Sequence, residues 1–310
     1  MNQGWTYRDR VATAAVGQTL LDYYVQRYRH SSRDDWQQRI MAGLITVDGQ
    51  PGKLNQQLHL GQQLAYSRPP WEEPRVPLDF AVLYEDEDLL AIAKPSGLPV
   101  LPGGGFLEHT LLHQLQVRYP QSPPIPIHRL GRGTSGVMLL ARSPLAKSEL
   151  SRQMRNSTQG ERSASTLHKT YRALVGASHL PPSFVVTTPI GLVPYPVLGS
   201  VYAATSTGKS ARSAIQVLRR DATCTLLEVK IQTGRPHQIR IHLAAAGYPL
   251  LGDPLYGPGG LPYPVANAEG EVPVPGDCGY WLHACELRFT HPRTQEILEI
   301  QCSPPARLQT

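Results

Sequence analysis

The most informative part of the chain reads His128-Arg129-Leu130-Gly131-Arg132-Gly133-Thr134-Ser135-Gly136. Three glycines within six residues favour a tight turn, because a residue without a side chain accepts unusual backbone angles and lets another segment approach closely. The apolar residues 137–141 follow at once and are typical of a buried strand. A basic turn on the end of a rigid strand is a common position for a functional residue, although the same pattern also fits a purely structural loop.

This turn resembles the central motif of the RluA-type pseudouridine synthases, which convert uridine to pseudouridine in structured RNA without a cofactor or a metal. The family motif is His-Arg-Leu-Asp-x-x-Thr-Ser-Gly, and its Asp is the nucleophile. In this chain Gly131 stands at the place of that Asp. The resemblance therefore implies a variant synthase in which the nucleophilic side chain of the family is absent.

Other stretches resemble further motifs of the same family, in the same order along the chain. They are residues 94–100, 169–176, 233–243 followed by 251–257, and 282–292. With these motifs and the central turn, the resemblance covers about residues 78–305. The resemblance implies an α+β pseudouridine-synthase fold, with a curved, mainly antiparallel sheet and flanking helices.

The resemblance also implies roles for individual side chains. Tyr171 would stack on the flipped uracil and take part in proton transfer at carbon five, and Arg129 would fill the space that the flipped nucleotide leaves. Arg240 matches the arginine that pairs with the nucleophilic Asp, so here it has lost that partner. Arg132 and His237 lie in the same motifs and are expected to contact RNA.

Two classes of function remain open at this point. In the first class the chain is an RNA pseudouridine synthase, which is an isomerase, and its carboxylate comes from another residue or from a partner chain. In the second class it is a catalytically inactive RNA-binding protein or RNA folding helper that keeps the groove of the synthase. Gly131 cannot act as a nucleophile or a base, which favours the second class, whereas Tyr171 and Arg240 favour the first. We expect Asp253, another acid or an RNA phosphate to pair with Arg240, and Gly131→Asp to increase pseudouridine formation.

Composition and charge agree with an RNA partner. Among 310 residues, 41% are hydrophobic, and 30 basic against 24 acidic residues give a net charge of +6. This excess favours a polyanion, and we expect structured rRNA or tRNA. The four cysteines have neither paired nor zinc-type spacing, so no metal, cofactor or disulfide is expected. No long apolar run occurs, which predicts a cytoplasmic protein without membrane contact. We expect it to be a monomer.

The amino-terminal sequence predicts a small separate module. Residues 1–17 have no strong periodicity and are interpreted as an extension, whereas residues 18–67 carry two helical patterns and a hairpin at Asp48-Gly49. This order resembles the αL RNA-binding module known from a small-subunit ribosomal protein, which implies that Arg33 and Lys53 face an RNA backbone. A plain structural cap is the alternative.

The remaining boundaries follow from prolines and glycines. The proline-rich residues 68–77 predict a semi-rigid linker, and residues 78–310 a domain with the catalytic fold. Within that domain Pro236 predicts the start of a helix and Gly247 its end, which would place His237 and Arg240 on one helical face.

Overall fold

The computed structural model describes residues 1–159, 167–177, 179–196, 198–263 and 272–310. The chain divides into two compact units. The first comprises Met1–Glu73 with Tyr195–Gly199, and the second comprises Pro74–Pro194 with Ser200–Thr310. The boundary between Glu73 and Pro74 falls within the expected linker 68–77.

The first unit combines a small sheet with two helices. Its elements are β1 (Trp5–Arg10), α1 (Leu20–Arg27), α2 (Arg33–Met41), β2 (Ile45–Val47), β3 (Gln50–Pro51) and β4 (Gln63–Arg68). The strands are antiparallel in the order β1-β4-β2-β3. Ser32 and Asp35 form a reciprocal capping box that starts α2, and the buried Trp36 of α2 lies in the core of this unit.

Residues 5–10 form a strand where the sequence predicted none. β1 pairs with β4 along its whole length, from Trp5 opposite Arg68 to Arg10 opposite Gln63. Five of its six side chains are exposed, so no apolar face marks the strand in the sequence. Backbone hydrogen bonds hold it instead, so the interpretation of residues 1–17 as an extension without strong periodicity missed this strand.

Twelve further strands follow in the described part of the chain. They are β5 (Ala81–Glu85), β6 (Leu89–Lys94), β7 (Ile125–Pro126), β8 (Ser135–Ala141), β9 (His168–Gly176), β10 (Ser183–Val186), β11 (Ile190–Tyr195), β12 (Gly199–Ala204), β13 (Ser213–Arg220), β14 (Cys224–Ile231), β15 (Leu282–Thr290) and β16 (Ile297–Gln301). β11 and β12 pair with each other. The other ten form one sheet in the order β10-β13-β14-β9-β15-β8-β6-β5, with β16 beside β15 and β7 beside β8.

The pairing of this large sheet confirms the predicted fold class. Neighbouring strands are antiparallel, except that β8 runs parallel to β15. Three helices accompany the sheet, namely α3 (Leu111–Arg118), α4 (Pro144–Gln159) and α5 (Gln238–Ala245). The second unit is thus an α+β structure with a mainly antiparallel sheet.

Both faces of the sheet are buried at its central strand β8. Every residue of β8 is buried, and its side chains alternate between two apolar clusters. α4 belongs to one cluster through Ala146, Leu150 and Met154, whereas α3 and α5 belong to the other, which also contains Tyr171. The central turn, residues 128–134, therefore enters a strand that is fixed from both sides.

The last helix begins two residues later than its proline suggested. His237 has φ 53° and ψ 20°, in the left-handed region, and the first helical residue is Gln238. A left-handed residue cannot belong to a right-handed helix, so His237 precedes the helix and Arg240 lies in its first turn.

Candidate active site

The central turn approaches two other segments closely. At Gly136, φ is +111° and a Cβ atom would lie 2.2 Å from the carbonyl oxygen of Ala284, so only glycine fits where β8 meets β15. Gly131 and Gly133 do not have positive φ. Glycine is favoured at these two positions because there is little room for a side chain. A Cβ atom on residue 131 would lie 2.9 Å from Tyr280 Oη, and one on residue 133 would lie 3.0 Å from the Tyr280 ring.

A loop after β6 fixes the backbone of the turn. The buried Lys94 ammonium donates to the carbonyl oxygens of Pro95 and Leu98, both at 2.8 Å, and of Arg132 at 3.1 Å. Ser96 Oγ donates to the carbonyl of Gly133 at 2.7 Å. Burial lowers the pKa of Lys94 to about 7, whereas its three carbonyl acceptors favour the charged form. The position of the turn therefore depends on the backbone carbonyls of Arg132 and Gly133, which accept hydrogen bonds from Lys94 and Ser96.

The two arginines of the turn have different surroundings. Arg132 Nε donates to the carbonyl of Gly276 at 2.7 Å, and its guanidinium lies 5.2 Å from the centre of the Phe106 ring. Arg129 is exposed, and no residue in the described part of the chain makes a hydrogen bond or an ion pair with it. Of the two, Arg129 is the cation that remains available to an external ligand.

Arg240 is held by a buried, two-point ion pair. Its Nε and Nη2 donate to Oδ2 and Oδ1 of Asp253, both at 2.7 Å, and its Nη1 donates to the carbonyl of Pro275 at 3.1 Å. The side chains of Arg240 and Asp253 are only 3% and 1% exposed. Burial alone would lower the pKa of Arg240, but the Asp253 carboxylate raises it above its usual value, so the charge persists. Asp253 is one of the partners that we expected.

Tyr280 joins Arg240 to the central turn, and the sequence did not indicate it. The Arg240 guanidinium lies 4.2 Å from the centre of the Tyr280 ring, a cation–π geometry. The Tyr280 hydroxyl lies 3.3 Å from Thr134 Oγ1, with either oxygen able to donate. Gly131, Gly133 and Arg240 thus surround one tyrosine, whose only sequence signal is an aromatic residue two positions before Leu282.

Tyr171 lies in β9, opposite Val229 of β14 and Ala284 of β15. Its ring belongs to the apolar cluster that also contains Tyr280. Burial raises the pKa of its hydroxyl, and within the described ranges no residue hydrogen-bonds that hydroxyl. The Tyr171 phenol is therefore neutral near pH 7.

His237 faces the same group of charges. The Tyr256 hydroxyl donates to the carbonyl of Tyr202 at 2.7 Å, so His237 Nδ1 must donate to the Tyr256 oxygen, also at 2.7 Å. Burial, together with the charges of Arg240 and Arg129, lowers the pKa of His237 to about 3, although the Asp253 carboxylate opposes this shift. His237 is therefore neutral near pH 7, and the influence of Arg129 indicates that this arginine lies near it.

The two predicted RNA contacts of the first unit differ. Arg33 Nη1 lies 2.9 Å from Oδ1 of Asp22, in a half-exposed ion pair. Lys53 is exposed and follows β3, and its backbone N–H donates to Gln56 Oε1 at 3.2 Å. Lys53 is thus the freer of these two cations.

No group of three potential metal ligands lies close together in the residues that the structure describes. Within the same ranges, no helix combines the length and apolar character needed to cross a membrane.

Several known proteins are similar to this chain. A sequence profile described as RNA pseudouridylate synthase matches residues 88–245. An uncharacterised RNA pseudouridine synthase of Synechocystis sp. is 51% identical over 94% of this chain and 96% of its own length. RNA pseudouridine synthase 5 of Oryza sativa subsp. japonica is 42% identical over 100% of this chain and 89% of its own. The structure of human RNA pseudouridylate synthase domain containing 1 covers 76% of this chain and 87% of its own, with a TM-score of 0.55 at 23% identity.

Proposed function

The chain belongs to the RluA-type family of RNA pseudouridine synthases, and on that premise we propose that it isomerises uridine to pseudouridine in a structured RNA. The prediction of this family from the sequence is confirmed by the profile match and by relatives that share most of the chain. The RNA itself, an rRNA or a tRNA, the cytoplasmic location and the monomeric state belong to the proposal. So does the assignment of individual residues.

One observation carries the proposal. The backbone of Gly131, the ring of Tyr280 and the guanidinium of Arg240 meet at a single place, where Asp253 neutralises the arginine. A buried and fixed charge can stabilise the charge that develops on a substrate during a reaction, and here it lies beside a residue that has no side chain. This arrangement supports a reaction centre at the family's catalytic position, even though residue 131 has no side chain.

Tyr171 and Arg129 suit the handling of a flipped nucleotide. A base that leaves its stack loses stacking energy, which an aromatic ring can partly replace. The Tyr171 ring would contact the extruded uracil and its hydroxyl would face carbon five. The exposed Arg129 would occupy the space left in the RNA, where its charge meets phosphates.

The first unit extends the RNA contact in this proposal. Its helix–hairpin order supports the αL-type interpretation, with Arg33 at the start of α2 and Lys53 after the hairpin. Each phosphate that a cation neutralises makes the salt dependence of binding steeper by about one unit in log–log slope. Lys53→Gln should therefore lower the slope of RNA affinity against salt, measured by filter binding, and an unchanged slope would exclude Lys53 as a phosphate contact.

A second candidate function has a specific observation in its favour. Gly131 offers no carboxylate, so a protein that binds RNA in the same groove without reacting would have the same backbone. Such a protein would keep the salt-dependent RNA affinity and form no pseudouridine.

The experiment that separates the two uses the purified chain and total RNA from cells that lack it. Pseudouridine is counted by mass spectrometry of the nucleosides before and after incubation. We expect a stoichiometric increase at one or a few sites. RNA binding without any increase would assign the chain to the second function.

A further inference from the structure

Residue 131 has no side chain at the position of the family's nucleophile, but side chains of other residues fill the space beside it. In the described part of the chain, two atoms lie within 4 Å of a Cβ atom placed on residue 131, outside its sequence neighbours: Tyr280 Oη at 2.9 Å and Thr134 Oγ1 at 3.5 Å. Both are hydroxyl oxygens, and they lie 3.3 Å from each other. A carboxylate carried by residue 131 would place its oxygens in the region that these hydroxyls occupy.

The nearby carboxylate is unsuited to attack. Asp253 accepts two hydrogen bonds from Arg240 and two more from the backbone N–H groups of Leu255 and Tyr256. Its side chain is 1% exposed. A carboxylate that accepts four hydrogen bonds and pairs with a buried guanidinium is a weak nucleophile, and moving it would leave the Arg240 charge buried without a partner. Asp253 therefore serves to hold Arg240.

We propose that the Tyr280 hydroxyl is the nucleophile of this synthase, in place of the carboxylate that residue 131 lacks. The proposal rests on the proposed function, since it assigns a residue to that reaction. Tyrosine is among the side chains that form covalent intermediates, and sialidases use it against a sugar carbon. This role also explains the glycines at positions 131 and 133, because a side chain at either position would displace the Tyr280 phenol.

The reaction balances without a co-reactant. Tyr280 Oη bonds to C1′ of the ribose as the C1′–N1 bond breaks, and the hydroxyl proton passes to N1 of the departing uracil. The uracil turns, its C5 bonds to C1′, and the C1′–Oη bond breaks to release a phenolate. The phenolate then takes the proton from C5. Two displacements at C1′ restore its configuration, as in retaining glycosidases, and Tyr280 is regenerated.

The surroundings of Tyr280 suit both halves of this cycle. Burial raises the pKa of its hydroxyl, so the proton needed for N1 is present at the start. The Arg240 guanidinium over the ring and the Thr134 hydroxyl oppose this rise and would stabilise the phenolate that leaves in the second displacement. Arg240 thus keeps the electrostatic role that it would have beside a carboxylate.

The first test compares Tyr280→Phe with the wild-type chain. The phenylalanine keeps the ring between Gly133 and Arg240 and removes only the oxygen. With total RNA from cells lacking the protein as the probe, we expect pseudouridine formation to slow by at least about a thousandfold while RNA affinity is kept. Tyr84→Phe, which removes a hydroxyl bonded to Asp86 far along the sheet in β5, is the matched control and should stay within about twofold.

A second test restores a carboxylate at residue 131, the position of the family's nucleophile, with and without the Tyr280 hydroxyl. In Gly131→Asp alone, the new Cβ crowds the Tyr280 hydroxyl, so activity should fall, which replaces the expectation from the sequence that it would rise. In Gly131→Asp with Tyr280→Phe the crowding atom is gone, and we expect at least about a tenfold gain over Tyr280→Phe. That gain would show that the tyrosine variant folds and binds RNA.

The remaining outcomes overturn the proposal in distinguishable ways. A Tyr280→Phe variant as fast as the wild type would show that Tyr280 only packs, while the proposed function stands. An inactive wild type with an active double variant would exclude Tyr280 but keep the RNA-binding groove. If no variant forms pseudouridine and none binds the RNA, both the proposal and the proposed function fail.

Discussion

The two sides of the candidate active site are held by different means. On one side, a buried ion pair between Arg240 and Asp253 fixes a charged side chain. On the other side, the turn at Gly131 is fixed through its backbone, by Lys94 and Ser96, and carries no side chain at the decisive position. The comparison shows that one side is held by a pair of charged side chains, whereas the other is held through its backbone and packs against Tyr280, a residue from another part of the fold.

Breaking the charged side should have the largest effect on stability. Asp253→Asn leaves the Arg240 guanidinium buried without an anion, and we expect a loss of about 3–5 kcal/mol in the free energy of unfolding. Urea denaturation measures this directly. The control is Glu228→Gln, which weakens the less buried pairs of Glu228 with Arg172 and Lys230 and should cost clearly less than Asp253→Asn. Equal losses would mean that Arg240 finds another acceptor.

Breaking the backbone side should cost less. Lys94→Met keeps the length of the side chain but removes the donor for the carbonyls of Pro95, Leu98 and Arg132. We expect a loss of about 2–3 kcal/mol, because a buried acceptor without a donor is penalised. Hydrogen exchange should also quicken at the backbone N–H of Thr134. The exposed Lys230→Met serves as the control, and an unaltered turn in Lys94→Met would contradict this role of the lysine.

Sequence patterns predicted the elements that local chemistry marks. Ser143 and Pro144 form a typical helix start, with serine as the N-cap before a proline; α4 begins there, and the Ser143 hydroxyl accepts the backbone N–H of Ala146. The apolar run after Gly136 forms the buried β8. Such features depend on neighbours in sequence, which periodicity and capping rules describe.

The unpredicted features depend on distant contacts. β1 is recognised only by its pairing with β4, since its side chains are mostly exposed. Tyr280 has no local signal either, because 146 residues separate it from Thr134 and only the tertiary structure brings them together. The reason for the glycines at 131 and 133 was therefore hidden too, although the turn itself was predicted.

Acid should lower the stability of the fold through His237, which lies near the Arg240–Asp253 ion pair. Its pKa is lowered to about 3 in the folded state, whereas the unfolded value is near 6.5. The unfolded state thus binds more protons between these values, and the fold loses stability as the pH falls through that window. We expect His237 to contribute about 1–2 kcal/mol of the loss between pH 6.5 and pH 5. His237→Asn, which tolerates the left-handed backbone, should show a shallower pH dependence in thermal unfolding; an identical pH dependence would exclude His237.

A double-mutant cycle in the free energy of unfolding tests most directly whether the Tyr280 hydroxyl occupies the space of a side chain at residue 131. Gly131→Ala is measured in the wild-type chain and in Tyr280→Phe. In the presence of the hydroxyl, the new methyl group should destabilise the protein by about 1 kcal/mol, because its nearest neighbour would lie at 2.9 Å. In the phenylalanine background the same change should be neutral or slightly stabilising, since φ at residue 131 is not positive. Equal effects of Gly131→Ala in the two backgrounds would contradict the claim.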